Sequence, residues 1–285
     1  MSDSLVLRRS DRDPDIMPLS LDQPLLPPAS KTTPMPLIDH PEGNYRFLPG
    51  IAPYSCGVVS SPGFEIIHVT FLNPVPYRAG FQRIEQFLAD NSRPKAALCG
   101  IELRSPKPFT FPGFSAFNAE YAAILKDWGV FVNGVNPVAR TNVAPVVMAP
   151  AEPAMYGFSL SMPCTRKQPV TFIVAGGGEL PEGVLNREGI IALGDKSEAG
   201  IRTKAEFVMD LMETRLRGLG ADWSLVSAIN VYTAHSVTPL IKETILGRAG
   251  TAAIHGAVWY YSAPPIEEIE FEMDLHGTRT DLRID

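Results

Sequence analysis

The apolar positions of this chain change period several times, and each change marks an element. RAGFQRIEQFLAD (78–90) carries Phe81, Ile84 and Leu88 on one helical face. KAALCGIEL (95–103) is nearly continuously apolar and predicts a buried strand. Residues 113–128 return to helical spacing, with Phe114, Phe117, Tyr121, Ile124 and Trp128 in register. Upstream, residues 54–72 alternate as a pair of strands around the turn Ser61-Pro62-Gly63. Downstream, 140–149 and 154–162 read as two more strands.

A second stretch follows the same order. VTFIVAGGGEL (170–180) is a strand running into a glycine-rich turn. Residues 198–219 form a periodic helix with Ile201, Ala205, Val208, Met212, Leu216 and Leu219 inward, stopped by Gly220. LVSAINVYT (225–233) is a strand and SVTPLIKETIL (236–246) a short helix. TAAIHGAVWYYS and IEEIEFEMDL read as closing strands. The order strand, strand, helix, strand, helix, strand, strand thus occurs twice, which predicts two copies of one domain. Each copy is expected to set two helices on one face of a mixed sheet, an α+β (α/β) fold. The expected layout is an extended arm over 1–43, a first domain over 44–163 and a second over 170–285, with PCTRKQP (163–169) as the junction. Ten of the 27 prolines fall in the first 53 residues, and proline suits neither a helix interior nor a central strand. Within the arm, Asp11, Asp13 and Asp15 lack the glycine and distal glutamate of a calcium loop and read as a solvated turn.

Composition narrows the function classes. The chain has 285 residues, 45% hydrophobic and 20% charged, enough to bury a core. A net charge of −6 with scattered Lys and Arg argues against nucleic acid as a partner. No apolar run has the length of a membrane span, so no membrane partner is expected. Cys56, Cys99 and Cys164 show no metal or disulfide spacing, and cytoplasmic residence is the expectation. His40, His68, His235, His255 and His276 form no HxH or HExxH pair, so no metal is expected. Of these, His255, in a stretch that reads as a buried strand, is a candidate acid/base.

Three blocks in the first half carry a resemblance. GIAPYSCGV (50–58), FSAFNAEY (114–121) and NPVARTNV (136–143) resemble, in order, motifs of the RidA/YjgF family of enamine/imine deaminases (also called endoribonuclease L-PSP-like). The resemblance implies two tandem RidA/YjgF-like (chorismate mutase-like) domains assembled as a homotrimer. It implies that Arg140 grips a substrate carboxylate and that Tyr54 and Asn118 line the pocket. In the second half, FIVAGGGELP resembles the family's Ser-Gly-Gln strand and IEFEMDL its glutamate strand. That implies Glu272 as the acid/base, with Glu270 its nearest competitor; Gly176, Gly177 and Gly178 read either as pocket glycines presenting backbone N–H groups to an oxyanion or as a bulge.

The two halves depart from the pattern in opposite ways. The family's glutamate position falls near Ser159 or Ser161 in the first half, and its arginine position reads Gly250 in the second, with Arg248 nearby. One half keeps the anchor and the other the acid, which suggests a composite pocket joining Arg140 to Glu272. A weaker resemblance, to chorismatases, rests on ELRSP (102–106) and GTAAIHG (250–256).

Chemistry of the residues runs alongside. The planar fork of arginine donates two parallel charge-assisted hydrogen bonds to a carboxylate; the structural alternative pairs Arg140 with Glu102 or Glu120. A glutamate buried beside substrate gains a raised pKa suited to moving protons to and from water. Of Tyr54 and Ser55, adjacent on a strand, only one can face a ligand. Cys56 reads as a small core residue, and Asn118 as a polar group on an apolar helix face. The expected function is a cofactor-independent hydrolase, a deaminase of a small imine, enamine or amino-carboxylate metabolite. The alternatives are hydrolysis of an enolpyruvyl ether and non-catalytic binding of a small metabolite.

Overall fold

The computed structural model describes residues 36–285. The expected arm, with its acidic triplet, falls outside the described residues up to residue 35. Its last part is not irregular: β1 (Ile38–His40) pairs with β2 (Tyr45–Leu48).

The fold is mixed α+β with two mixed sheets. After β2 come β3 (Gly57–Ser60), β4 (Phe64–Pro76), α1 (Tyr77–Asp90), β5 (Leu98–Arg104), α2 (Phe111–Asp127), β6 (Ala139–Pro145) and β7 (Ala154–Pro163). The second part contains β8 (Phe172–Gly178), α3 (Glu198–Gly218), β9 (Ala228–Tyr232), β10 (Val258–Tyr260), β11 (Ser262–Ala263), β12 (Glu272–His276) and β13 (Asp281–Ile284). One sheet has the order β1-β2-β3-β8-β12-β9-β10 and the other β11-β6-β5-β7-β4-β13. Strands from both parts of the chain therefore stand in both sheets. β2 and β3 join β8, while β11 and the C-terminal β13 join β6 and β4.

Helices form where their periodicity predicts. Tyr77, Phe81, Ile84 and Leu88 of α1 and Phe117, Tyr121 and Leu125 of α2 are buried against the six-stranded sheet, while Phe114 packs with Ile190, Ile266 and Ile269. The Thr110 side chain caps α2 by accepting the Gly113 N–H, and Ser197 caps α3 by accepting that of Gly200. The buried stripe of α3, Ile201, Ala205, Val208, Met212 and Leu216, packs on β8, β9 and β12 of the seven-stranded sheet. Each large aliphatic side chain buried there contributes about 1.5–3 kcal/mol. This second sheet carries one long helix on its outer face; short helical segments at Thr238–Leu240, Ile241–Leu246 and Gly250–His255 complete the cover.

Two expectations fail locally. β3 and β4 flank the Ser61-Pro62-Gly63 turn but do not pair with each other; each enters a different sheet. All four residues of β3 are buried, so it serves as an interior strand between β2 and β8 rather than one arm of a surface hairpin. TAAIHG is helical rather than extended, because Gly250 and Gly256, at φ 54° and 71°, bracket a tight turn. His255 is exposed on that turn, away from any buried strand.

The inner faces of the sheets meet. Along β12 the side chains alternate: Met273 and Leu275 point into the α3 core, while Glu272, Asp274 and His276 face the other sheet. Asp274 Oδ2 accepts the Thr141 hydroxyl from β6 at 2.7 Å. No helix among the described residues is long and apolar enough to cross a membrane.

Candidate active site

One cavity opens where the two parts of the chain meet. Tyr54, Arg140, Gly176, Gly177 and Glu272 line it, together with Glu182 and Arg215. The structure thus brings five of the six singled-out positions to one place. Asn118 is buried on α2 but is not on the cavity wall.

Arg140, on β6, is 3% exposed. Its guanidinium is enclosed by aromatic rings: Tyr54 at 4.5 Å, Tyr121 at 4.8 Å, Phe114 at 5.5 Å and Phe117 at 5.9 Å. Among the described residues no carboxylate pairs with it. Glu102 faces His68 and Arg104, and Glu120 pairs with Arg78 at the surface. Its Nη1 is buried without a hydrogen-bond partner. Burial lowers the pKa of Arg140, with Tyr54, Tyr121 and Glu272 acting the other way. Such a group is a cation held dry with a free donor, a costly arrangement unless an anion completes it.

Tyr54 and Ser55 separate as neighbouring residues should. The Tyr54 ring turns to the cavity, while the Ser55 hydroxyl donates to the carbonyl of Pro137 at 2.9 Å. Burial pushes the Tyr54 phenol up to about 12 against the pull of Arg140, so it stays a neutral donor at ordinary pH. Cys56 is buried beside Glu182, and burial raises its thiol to about 11; it holds no thiolate near neutrality.

Glu272 begins β12 and is 4% exposed. Burial raises its pKa well above the ordinary carboxyl value, and the Asp274 carboxylate raises it further; Arg215 and Arg140 oppose. A neutral carboxylic acid is therefore favoured at this position. Glu270 has a different environment: its carboxylate meets Lys196 at 2.6 Å and His235 at 2.8 Å.

The glycines explain how that carboxyl fits. β8 gains one residue relative to β12 between Val174 and Gly177, a β-bulge in the glycine run. A Cβ on Gly176 would collide with the Glu272 carboxyl and lie 3.1 Å from Thr141. On Gly177 it would meet Leu211 at 2.7 Å and Arg215 at 3.0 Å. Just beyond, Glu179 accepts the backbone N–H groups of Glu270 and Phe271 at 2.6 and 3.0 Å and is bridged by the fully buried Lys204 at 3.1 Å. Those bonds fix the chain immediately before Glu272.

Arg215 escaped sequence reasoning. Its Nε donates to Glu182 at 2.8 Å, and its Nη1 donates to the carbonyls of Ala175 and Gly176 at 2.8 and 3.2 Å. It braces the bulge and is already neutralised, unlike Arg140. Its signal was a charged residue on the inward stripe of a helix, next to Leu216. Arg248, the nearby substitute for the second half's missing arginine, instead binds Asp210 and Glu213 on the outside of α3.

The family model described as "2-aminomuconate deaminase CnbZ" matches residues 37–282. A 2-amino-5-chloromuconate deaminase of Comamonas testosteroni is 41% identical over 238 residues, covering 82% of this chain and 94% of its own. A solved structure titled "Cyanuric acid hydrolase: evolutionary innovation by structural concatenation" aligns with 76% of this chain and 69% of its own, at 11% identity and a TM-score of 0.36. On the first two matches, the family model spanning every residue of the cavity, this chain belongs to the 2-aminomuconate deaminase CnbZ family.

Proposed function

We propose that the protein hydrolytically deaminates a small, conjugated amino-carboxylate of the 2-aminomuconate type, using RidA-like chemistry. The observation that carries this reading is the buried, unpaired Arg140 in a cavity shared with the buried acid Glu272. Arg140 takes the substrate carboxylate, supplying the anion its free Nη1 lacks. Its ring cage favours a flat, conjugated ligand stacked beside the guanidinium.

The reaction then needs only proton transfers and water. The enamine tautomerises to the imine, and Glu272, held protonated by burial, protonates the imine nitrogen. Water adds to the carbon, and the Glu272 carboxylate so formed removes the proton from that water. The second proton passes to nitrogen, the C–N bond breaks, ammonia leaves and a keto acid remains. Arg140 keeps the substrate carbon near Glu272 throughout, the positioning contribution. Assembly as a homotrimer belongs to the same proposal, and light scattering tests it.

The test is ammonia release from 2-aminomuconate by the wild type, Arg140→Ala and Glu272→Gln. The expected result is turnover in the wild type, a raised KM with Arg140→Ala and a fall in kcat with Glu272→Gln. Pyruvate release from an enolpyruvyl ether, or tight ligand binding with no turnover, would overturn the proposal in favour of ether hydrolysis or simple binding.

A further inference from the structure

A second cluster lies between the sheets, away from the cavity. His68 on β4 and Glu102 on β5 belong to the six-stranded sheet; His276 on β12 belongs to the seven-stranded one. All three are buried, and their donor atoms lie within 4.8 Å of one another. We propose that these residues bind one divalent transition-metal ion, zinc by the chemistry of the donors, as a clamp between the two sheets.

Distance is the first argument. Glu102 Oε1 lies 3.4 Å from His68 Nε2 and 3.5 Å from His276 Nε2. Charge-assisted hydrogen bonds between such groups run about 2.7–2.9 Å. Zinc bonds of about 2.0–2.1 Å place tetrahedral ligands roughly 3.3–3.4 Å apart. The separations are long for ion pairs and near the edge of a metal polyhedron. The imidazoles also converge, with ring centres 4.7 Å apart and planes at 54° rather than stacked.

Donor chemistry and the surrounding groups supply the second argument. Two histidines and one carboxylate are a common set for zinc, leaving a fourth position. Asp274 Oδ1, 3.6 Å from His276 Nε2, is the nearest further donor. It is held by the Asn230 amide at 2.8 Å, while Oδ2 accepts from Tyr232 and Thr141. The Ser159 hydroxyl lies 3.2 Å from His68 Nδ1, the outer partner that turns a ligating imidazole toward its metal. The Thr70 hydroxyl, 3.2 Å from His68 Nε2, is the competitor for that lone pair.

Arg104 is the charge that opposes a cation here. It stands 3.6 Å from Glu102 Oε2, the oxygen other than the one near the histidines, and its guanidinium lies over the Tyr156 ring at 3.7 Å.

His276 is four residues from Glu272 on the same strand face, about 13 Å at ordinary strand rise. None of the three ligands lines the cavity. The proposal is therefore structural and independent of the deaminase reading.

The experiment is metal analysis of the full chain purified without chelators from zinc-supplemented medium, alongside thermal unfolding. The expected result is about one zinc per chain, a Tm that falls with a strong chelator and recovers with zinc, and visible absorption bands after cobalt exchange. His276→Gln is expected to lose the metal. Ser159→Ala separates metal loss from misfolding: it should keep the circular dichroism spectrum and bind zinc about 10- to 100-fold more weakly. Folded wild type with less than about 0.1 metal per chain, and no Tm change on adding zinc, would overturn the proposal.

Discussion

Replacing Arg140 with methionine should stabilise the protein and abolish its activity. Methionine keeps the length and most of the apolar stem while removing the charge. Desolvating a guanidinium costs several kcal/mol after relaxation, and among the described residues no carboxylate pairs with it directly, Glu272 opposing the cost only through space. The rings around Arg140 return part of that, about 2 kcal/mol for a desolvated cation–π contact. The balance leaves roughly 1–2 kcal/mol that methionine removes. For a chain of this size each kcal/mol moves Tm by about 2–4 °C, so Tm should rise by about 2–8 °C. Activity moves the opposite way. A forked pair of charged hydrogen bonds at about 1.5–3 kcal/mol each corresponds to a loss of roughly 10²- to 10⁴-fold in kcat/KM. Differential scanning calorimetry and ammonia release on the same preparation read both effects. If Arg140→Met lowers Tm by several degrees and leaves turnover intact, the arginine is a structural cation and the reasoning fails.

Other consequences are more local. Gly176→Ala places a methyl group against the Glu272 carboxyl, so kcat should fall with little change in the far-UV spectrum. Glu272→Gln should cost about 10²- to 10⁴-fold in kcat, the usual worth of a general acid/base. The same variant should differ in pH dependence. Glu272 binds its proton more tightly folded than unfolded, so wild-type stability falls as pH rises from the ordinary carboxyl range through the raised folded pKa. The glutamine variant should lack that component, and urea midpoints across pH would show the difference. Lys204→Met strands the Glu179 carboxylate in a fully buried position and should cost about 3–5 kcal/mol in equilibrium unfolding.

Local signals survived the step from sequence to structure better than long-range ones. The three long helices were legible because Phe81, Ile84 and Leu88, or Ile201, Ala205 and Val208, repeat at helical spacing whatever they pack against. The cavity residues were legible only through motif resemblance, since Tyr54, Arg140 and Glu272 share no local pattern. Partner choice between strands was not legible. Nothing in VVS or FEIIHV says that β3 and β4 part company at Pro62, because pairing is decided by what lies beyond each strand. Arg215 was hidden inside an apolar stripe, where its charge should have drawn notice. His68, Glu102 and His276 stand on three strands far apart in the chain, so a search for short histidine motifs could not assemble them.

The exchange of strands between sheets bears on how this protein can be divided. A cut in the 164–169 segment would separate β2 and β3 from β8, and would part β13 from the edge it completes beside β4. Each fragment would expose unsatisfied strand edges and would aggregate when made alone. Made together, the fragments carry complementary edges and should assemble into a nicked but active protein. The same property makes residues 164–169 the place where the chain can be nicked without losing the edges that hold the two sheets together.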